Sequence, residues 1–397
     1  VLRVVTSSSA LRTALKLAAL QGAVFASHGF FLPFFPLWLQ SRGLSPELIG
    51  ITVALPIVVR SLFSAPVLSL SDAGADLRKI IYVLFAIQVV GYPILYWTDS
   101  TGGILLLVAL IAVGQTTVMP AVDLVTTIEV QRTPRLNYAR IRGVGSATFL
   151  VANIAAGYLI RPLGPDSLLW ALGLIPLVGI AVATVTVRRG EVPHSASQEK
   201  KAAPRLPAVL CVVIAAAALT QASHGALNAF ASMNWQSKGF ADSTIGYLWA
   251  VGVASEIVVF VLVGGLGGGG SRWLQLIMIG SVFTLIRFMG MAFNTSPALA
   301  FVLQGLHGFT FAFSHIGAMV ALTTLAPVGA RGRAQGIYGS LTAVVMATAM
   351  FGSGFIYQKF GALAFAAMAP LGVAGFALCL VTARMLRSYP QSAASGG

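Results

Sequence analysis

The chain has 397 residues, of which 57% are hydrophobic and 9% charged. An average soluble domain carries about 25% charged residues, so a soluble enzyme, a disordered chain and a nucleic-acid-binding domain are excluded. The formal charge of +14 comes from Lys and Arg placed between apolar segments, where they act as topology signals and contacts to anionic lipid.

Apolar runs long enough to cross a bilayer, about 20 residues each, predict an all-α polytopic membrane protein. Twelve spans are expected, at about 14–39, 46–70, 78–98, 102–127, 140–162, 166–187, 207–235, 243–267, 272–293, 297–325, 334–358 and 361–386. The first run follows Arg3, Arg12 and Lys16 as a signal peptide would. It is too long for one and is expected to be a retained span, with an initiator methionine or a longer leader missing before Val1. The polar stretch RRGEVPHSASQEKKAAPRL at 188–206 is a cytoplasmic linker between six-helix bundles at 1–187 and 207–397. Cys211 and Cys379 lie inside apolar runs and are expected to be free thiols.

Loop charges set the orientation. With the N-terminus in the cytoplasm, 19 of the 25 Lys and Arg fall on the cytoplasmic side and 4 on the other, while Arg60 and Arg287 lie within spans. That asymmetry predicts both termini inside. The halves also repeat. Ala-Ser-His-Gly at 26–29 recurs at 222–225, Gln-Ser-Arg-Gly at 40–43 recurs as Gln-Ser-Lys-Gly at 236–239, and Ile-Gly at 49–50 recurs at 245–246, all at the same offset of 196. Two halves in the same orientation imply a pseudo-two-fold axis along the membrane normal, as in transporters built from parallel repeats.

These features resemble the major facilitator superfamily. The segment SLSDAGADLRK at 69–79 is similar to its loop motif between helices 2 and 3, with Asp72, Arg78 and Lys79 retained. Its counterpart GGLGGGGSR at 264–272 has lost the acidic residue. Gly-Phe-Phe-Leu-Pro-Phe at 29–34, Trp38, Gly-Leu-Ser-Pro at 43–46 with Glu47, Arg60, the Pro120–Asp123 stretch and NYARIRGVGS at 137–146 resemble the 3-phenylpropionate permease branch, related to lactose and nucleoside proton symporters. The resemblance implies proton-coupled uptake of a small aromatic carboxylate by alternating access in a bacterial inner membrane. It also implies that spans 1, 4, 7 and 10 line the cavity. Export by antiport is the alternative. A membrane-embedded enzyme or receptor is a further one, but no GxxxxGK[ST], HExxH or GxSxG motif occurs. The expected partners are a small-molecule substrate, protons and lipids, for a monomer with no cofactor, metal or nucleic acid.

Ionisable groups at membrane depth are costly and carry the functional expectations. Arg60, which stays charged, is the candidate carboxylate clamp; an ion pair with Asp123 is the structural alternative. Its repeat equivalent Glu256 is a candidate proton carrier, or else a fixed partner of Arg287 on the next helix. Asp123 is the second proton-coupling candidate, or an anchor to Arg140 or Arg142. His28 and His224 are symmetry mates suited to relay a proton or bind a carboxylate. His307 and His315 lie about two turns apart on one helix. His307 and Phe34, from an aromatic-rich first span, join the substrate-binding set. Gly143, Gly145, Gly336 and Gly339 are expected to allow close helix packing.

Overall fold

A computed structural model describes residues 7–190, 204–265, 272–327 and 329–387. The glycine-rich turn expected at 264–272 and the centre of the 188–206 linker lie largely outside them. Twelve helices or broken helices among the described residues are long and apolar enough to cross a membrane. Their order is α1 (Ser7–Ser41), α2 (Pro46–Asp72), α3 (Leu77–Tyr96), α4 (Thr101–Arg132), α5 (Tyr138–Leu163) and α6 (Ser167–Thr186), followed by α7 (Ala208–Ala222), α8 (Gly225–Ser237), α9 (Asp242–Gly265) and α10 (Trp273–Phe293). Then come α11 (Pro297–Gly305), a π-helical turn (Gly308–Phe313), α12 (Ser314–Leu325), α13 (Arg331–Phe360), α14 (Leu363–Ala366) and α15 (Ala369–Arg387). Large apolar side chains such as Leu62, Val90, Leu106, Leu174, Val261 and Val302 are exposed. In a soluble protein that would be a liability; here it is the surface offered to lipid.

The predicted spans match in number, but three are interrupted. Span 7 breaks at Ser223–His224 between α7 and α8, span 10 passes through the π turn, and span 12 breaks between α14 and α15. Sequence periodicity over apolar runs does not register such breaks, because the composition stays apolar across them.

The chain forms two compact units. The first holds α1 to α6 together with Ala229–Ala250; the second holds α7, the start of α8 up to Asn228, and the chain from Val251 onward. The core of the first joins Leu17, Leu20 and Val24 of α1 to Ile81 and Leu84 of α3, Val122 and Val125 of α4 and Ala183 of α6. The core of the second joins Leu210 and Val213 of α7 to Ile277 of α10, Ala321 of α12, Tyr338 of α13 and Cys379 of α15. Spans 1, 3, 4 and 6 thus have their counterparts in spans 7, 9, 10 and 12, as the sequence repeat requires, while span 2 adds only the partly buried Val67 and Leu68 at the edge of the first core.

Ion pairs fasten the ends of the first unit. Arg42 reaches Asp166 at 2.9 Å and Asp99 at 3.4 Å, and Trp38 also donates to Asp166. At the other end Glu129 takes Arg132 at 3.2 Å and Arg188 at 3.1 Å. Within the 69–79 motif the working acid is Asp76. It caps α3 through the Arg78 amide and accepts from the Gly190 amide, while Arg78 donates to the Thr184 carbonyl.

Ala229–Ala250 belongs to the first unit by contact although the repeat assigns it to the second half. Its closest approach is backbone to backbone. A Cβ on Gly157 of α5 would collide with the Asp242 carbonyl oxygen, and one on Gly246 of α9 would lie 2.5 Å from that of Asn153. Tyr158 and Tyr247 hydroxyls meet at 3.3 Å beside them. The expected close packing at Gly145 is present, against the ring of Phe25, whereas Gly143, Gly336 and Gly339 face open space within 4 Å. Gly246→Ala should therefore cost about 1–3 kcal/mol through overpacking, lowering the melting temperature in detergent. Gly252→Ala on the same helix, whose nearest neighbour would be 3.6 Å away, should leave it unchanged; equal effects at the two positions would contradict this packing.

Candidate functional site

Each unit carries a cluster of polar side chains at membrane depth. In the first, Asp123 of α4 lies three residues after Pro120, inside the helix. Its Oδ1 accepts from Gln21 of α1 at 2.8 Å and from the Tyr138 hydroxyl at 3.1 Å, and faces Arg142 Nε at 3.4 Å. The Arg142 guanidinium also sits 4.0 Å over the Phe25 ring. Of the three basic partners expected for Asp123, namely Arg60, Arg140 and Arg142, Arg142 is the one in contact. Arg60 is exposed, with no hydrogen bond or ion pair to a described residue.

His28 is half-buried and points Nδ1 at the Val24 carbonyl, 2.9 Å away. A carbonyl only accepts, so Nδ1 carries the proton. Arg60 and Arg142 both lie within electrostatic reach of this imidazole. Phe34 is fully buried in the packing of α1. Asn153 of α5 is also fully buried, and neither its amide nitrogen nor its amide oxygen meets a partner, at a cost of about 1–3 kcal/mol for a group so placed.

The cluster in the second unit is built around Arg287 of α10, which is fully buried. Its Nε donates to the Leu303 carbonyl at 2.9 Å, Nη2 to Gln304 Oε1 at 2.5 Å, and Nη1 to Thr310 Oγ1 at 3.2 Å and His307 Nδ1 at 3.0 Å. All four acceptors are neutral and come from span 10. The local chain path makes this possible. Helix α11 ends at Gly305, so the Leu303 carbonyl is among the last of the helix and can accept from a side chain.

Arg287 also fixes the state of His307. A guanidinium cannot accept, so Nδ1 must, which assigns the proton of the neutral ring to Nε2. That nitrogen lies 3.8 Å from Glu256 Oε2 of α9, an electrostatic contact longer than a hydrogen bond. The His307 imidazole thus stands between Glu256 and Arg287, in contact with both. His224 stands behind, with Nδ1 on the Gln221 carbonyl at 2.9 Å and Nε2 on Thr310 Oγ1 at 3.0 Å.

The structure thus brings Glu256, Arg287, His307 and His224 together. Arg60, His28 and Asp123 lie in the first unit. Sequence reasoning missed Gln304, Thr310, Gln21 and Tyr138, which are neutral and so carry no charge to mark them in an apolar helix. Arg142 was in view only as an anchor for Asp123. No cluster of three or more metal-type ligands occurs among the described residues.

Comparison with known proteins agrees with this architecture. The MFS_1 like family matches residues 15–367. The chain is 29% identical over 356 residues to the probable 3-phenylpropionic acid transporter of Escherichia coli (strain K12), covering 85% of this chain and 89% of that protein. Among solved structures it resembles a mutant of the nucleoside transporter NupG, with a TM-score of 0.78 at 14% identity over 94% of this chain and 99% of that one. It also resembles a bacterial homologue of the human lysosomal transporter Spinster, with a TM-score of 0.73 at 14% identity over 94% of this chain and 97% of that one. The chain belongs to the MFS_1 like family and is a twelve-helix secondary transporter of the major facilitator superfamily, integral to the membrane.

Proposed function

We propose that the protein couples proton influx to uptake of a small aromatic carboxylate, acting as a monomer in a bacterial inner membrane with both termini in the cytoplasm. The observation that carries the reading is the Glu256–His307–Arg287 chain. With Glu256 ionised, its charge and that of Arg287 balance across one imidazole. His307 cannot take a proton on Nδ1 without giving up its bond from Arg287, so an arriving proton goes to Glu256. Protonation then leaves the buried Arg287 charge without its counterpart, and an anion becomes favourable. Proton and anion binding are in that way linked, each strengthening the other by the same factor.

Arg60 supports the same sign of substrate from the first unit. It is a fixed cation with a bidentate donor fork suited to a carboxylate, and no described acidic residue engages it. Asp123 is held by Arg142, Tyr138 and Gln21, and is the second candidate for proton transfer. The Escherichia coli relative, named as a probable 3-phenylpropionic acid transporter, favours a ring-bearing acid as the substrate class.

In proteoliposomes, Glu256→Gln should abolish accumulation of substrate against a gradient while sparing exchange of labelled for unlabelled substrate. Asp123→Asn should lower accumulation and also weaken the Arg142 contact, seen as reduced thermal stability. Accumulation by both variants at the wild-type level would contradict the coupling role. Orientation is checked in intact cells lacking Cys211 and Cys379. An impermeant thiol reagent should label Lys238→Cys and leave Ser197→Cys untouched; the opposite pattern would reverse the topology.

A further inference from the structure

The charged chain at His307 is one end of a column of rings. His307 and Phe311 stack with centroids 5.4 Å apart and planes 22° from parallel. Phe311 and His315 follow at 6.0 Å and 6°. Phe260 of α9 stands edge-on to His315 at 6.1 Å, and His224 stands edge-on to Phe311 at 5.9 Å. His307, Phe311 and His315 are partly exposed, whereas His224 and Thr310 behind them are buried.

The π turn makes this alignment. In an α-helix, residues eight apart are about 80° out of line. A turn closed by i→i+5 bonds rotates less per residue and removes much of that drift, so positions 307, 311 and 315 share one line. Gly308 seats the turn against α9. Its amide donates to Ser255 Oγ at 2.9 Å, and a Cβ there would lie 2.5 Å from the Ser255 carbonyl oxygen. The carbonyl of Phe311 is held in turn by Gln221 of α7 at 3.0 Å.

Imidazoles and a carboxylate at membrane depth turn to protein or to water and away from lipid. Nor is it closed core packing, since His307, Phe311 and His315 each stay partly exposed. Atoms of stacked rings need about 3.5–4.0 Å on each side, so gaps of 5.4 and 6.0 Å do not admit another ring between them. What the column offers is a ladder of ring edges. Aromatic C–H edges are electropositive and faces electronegative, so an aromatic ring laid face-on across the ladder gains an attraction that a saturated ring lacks.

We infer that Phe311 and His315 form a ring subsite that selects aromatic over saturated carboxylates, with the carboxylate directed toward the His307 end. The inference rests on the carboxylate-uptake reading and adds the residues that set its specificity. The test is competition of 3-phenylpropionate against 3-cyclohexylpropionate for uptake in proteoliposomes. Wild type should prefer the phenyl acid. Phe311→Leu and His315→Leu should each reduce that preference by about three- to tenfold, the size of an aromatic pair contact, with the cyclohexyl acid unaffected. Phe311→Tyr should retain the preference, which separates loss of the ring from loss of folding. A preference unchanged in Phe311→Leu, or both acids weakened equally while Phe311→Tyr behaves as wild type, would overturn the subsite. If wild type takes up neither acid, the carboxylate reading falls by itself. Binding of benzyl alcohol against cyclohexylmethanol then decides the subsite: the aromatic preference must appear in wild type and vanish in Phe311→Leu.

Discussion

A guanidinium cannot be left unsolvated away from water, and Arg287 is fully buried inside the protein. Much of the second unit follows from that constraint. Four acceptors must converge on one side chain, and the Leu303 carbonyl, Gln304, His307 and Thr310 all come from span 10. An unbroken α-helix would keep the Leu303 carbonyl for its own ladder and spread residues 303 to 310 around the cylinder. Ending α11 at Gly305 and opening into the π turn frees the carbonyl and gathers the side chains. The same distortion lines up His307, Phe311 and His315, so the charge that costs most to bury is linked to the geometry that offers rings to a ligand.

The fold was legible because its signals are compositional. Apolar length, the linker and the repeat at one offset require twelve helices in two related sets, and the paired cores built on spans 1, 3, 4 and 6 and on 7, 9, 10 and 12 show that relation in packing. The site was legible only where charge marked it. Glu256, Arg287, His307 and His224 stand out against apolar sequence and do come together. Gln304 and Thr310, which complete the shell of Arg287, carry no such mark; a neutral residue reveals its role only through its partner's geometry.

Symmetry in sequence did not carry over to chemistry. His28 and His224 are equivalent by repeat, yet one bonds its own helix at Val24 and the other reaches across to Thr310. Arg60 and Glu256 are equivalent and opposite in charge, one exposed and the other joined to an imidazole. The association of Ala229–Ala250 with the first unit was hidden for another reason. It depends on Gly157 and Gly246 meeting bare backbone, and nothing in a glycine's neighbours along the chain says what it will face across a helix contact.

The central claim is that proton and carboxylate binding are linked through Glu256. Purified protein in liposomes loaded with a pH-sensitive dye, without an imposed gradient, tests it most directly. Adding 3-phenylpropionate outside should acidify the lumen in wild type and leave it unchanged in Glu256→Gln, while the neutral amide of the same acid moves no protons in either. Acidification of equal size in the two proteins, or uptake of the acid by wild type with no proton movement, would contradict the account.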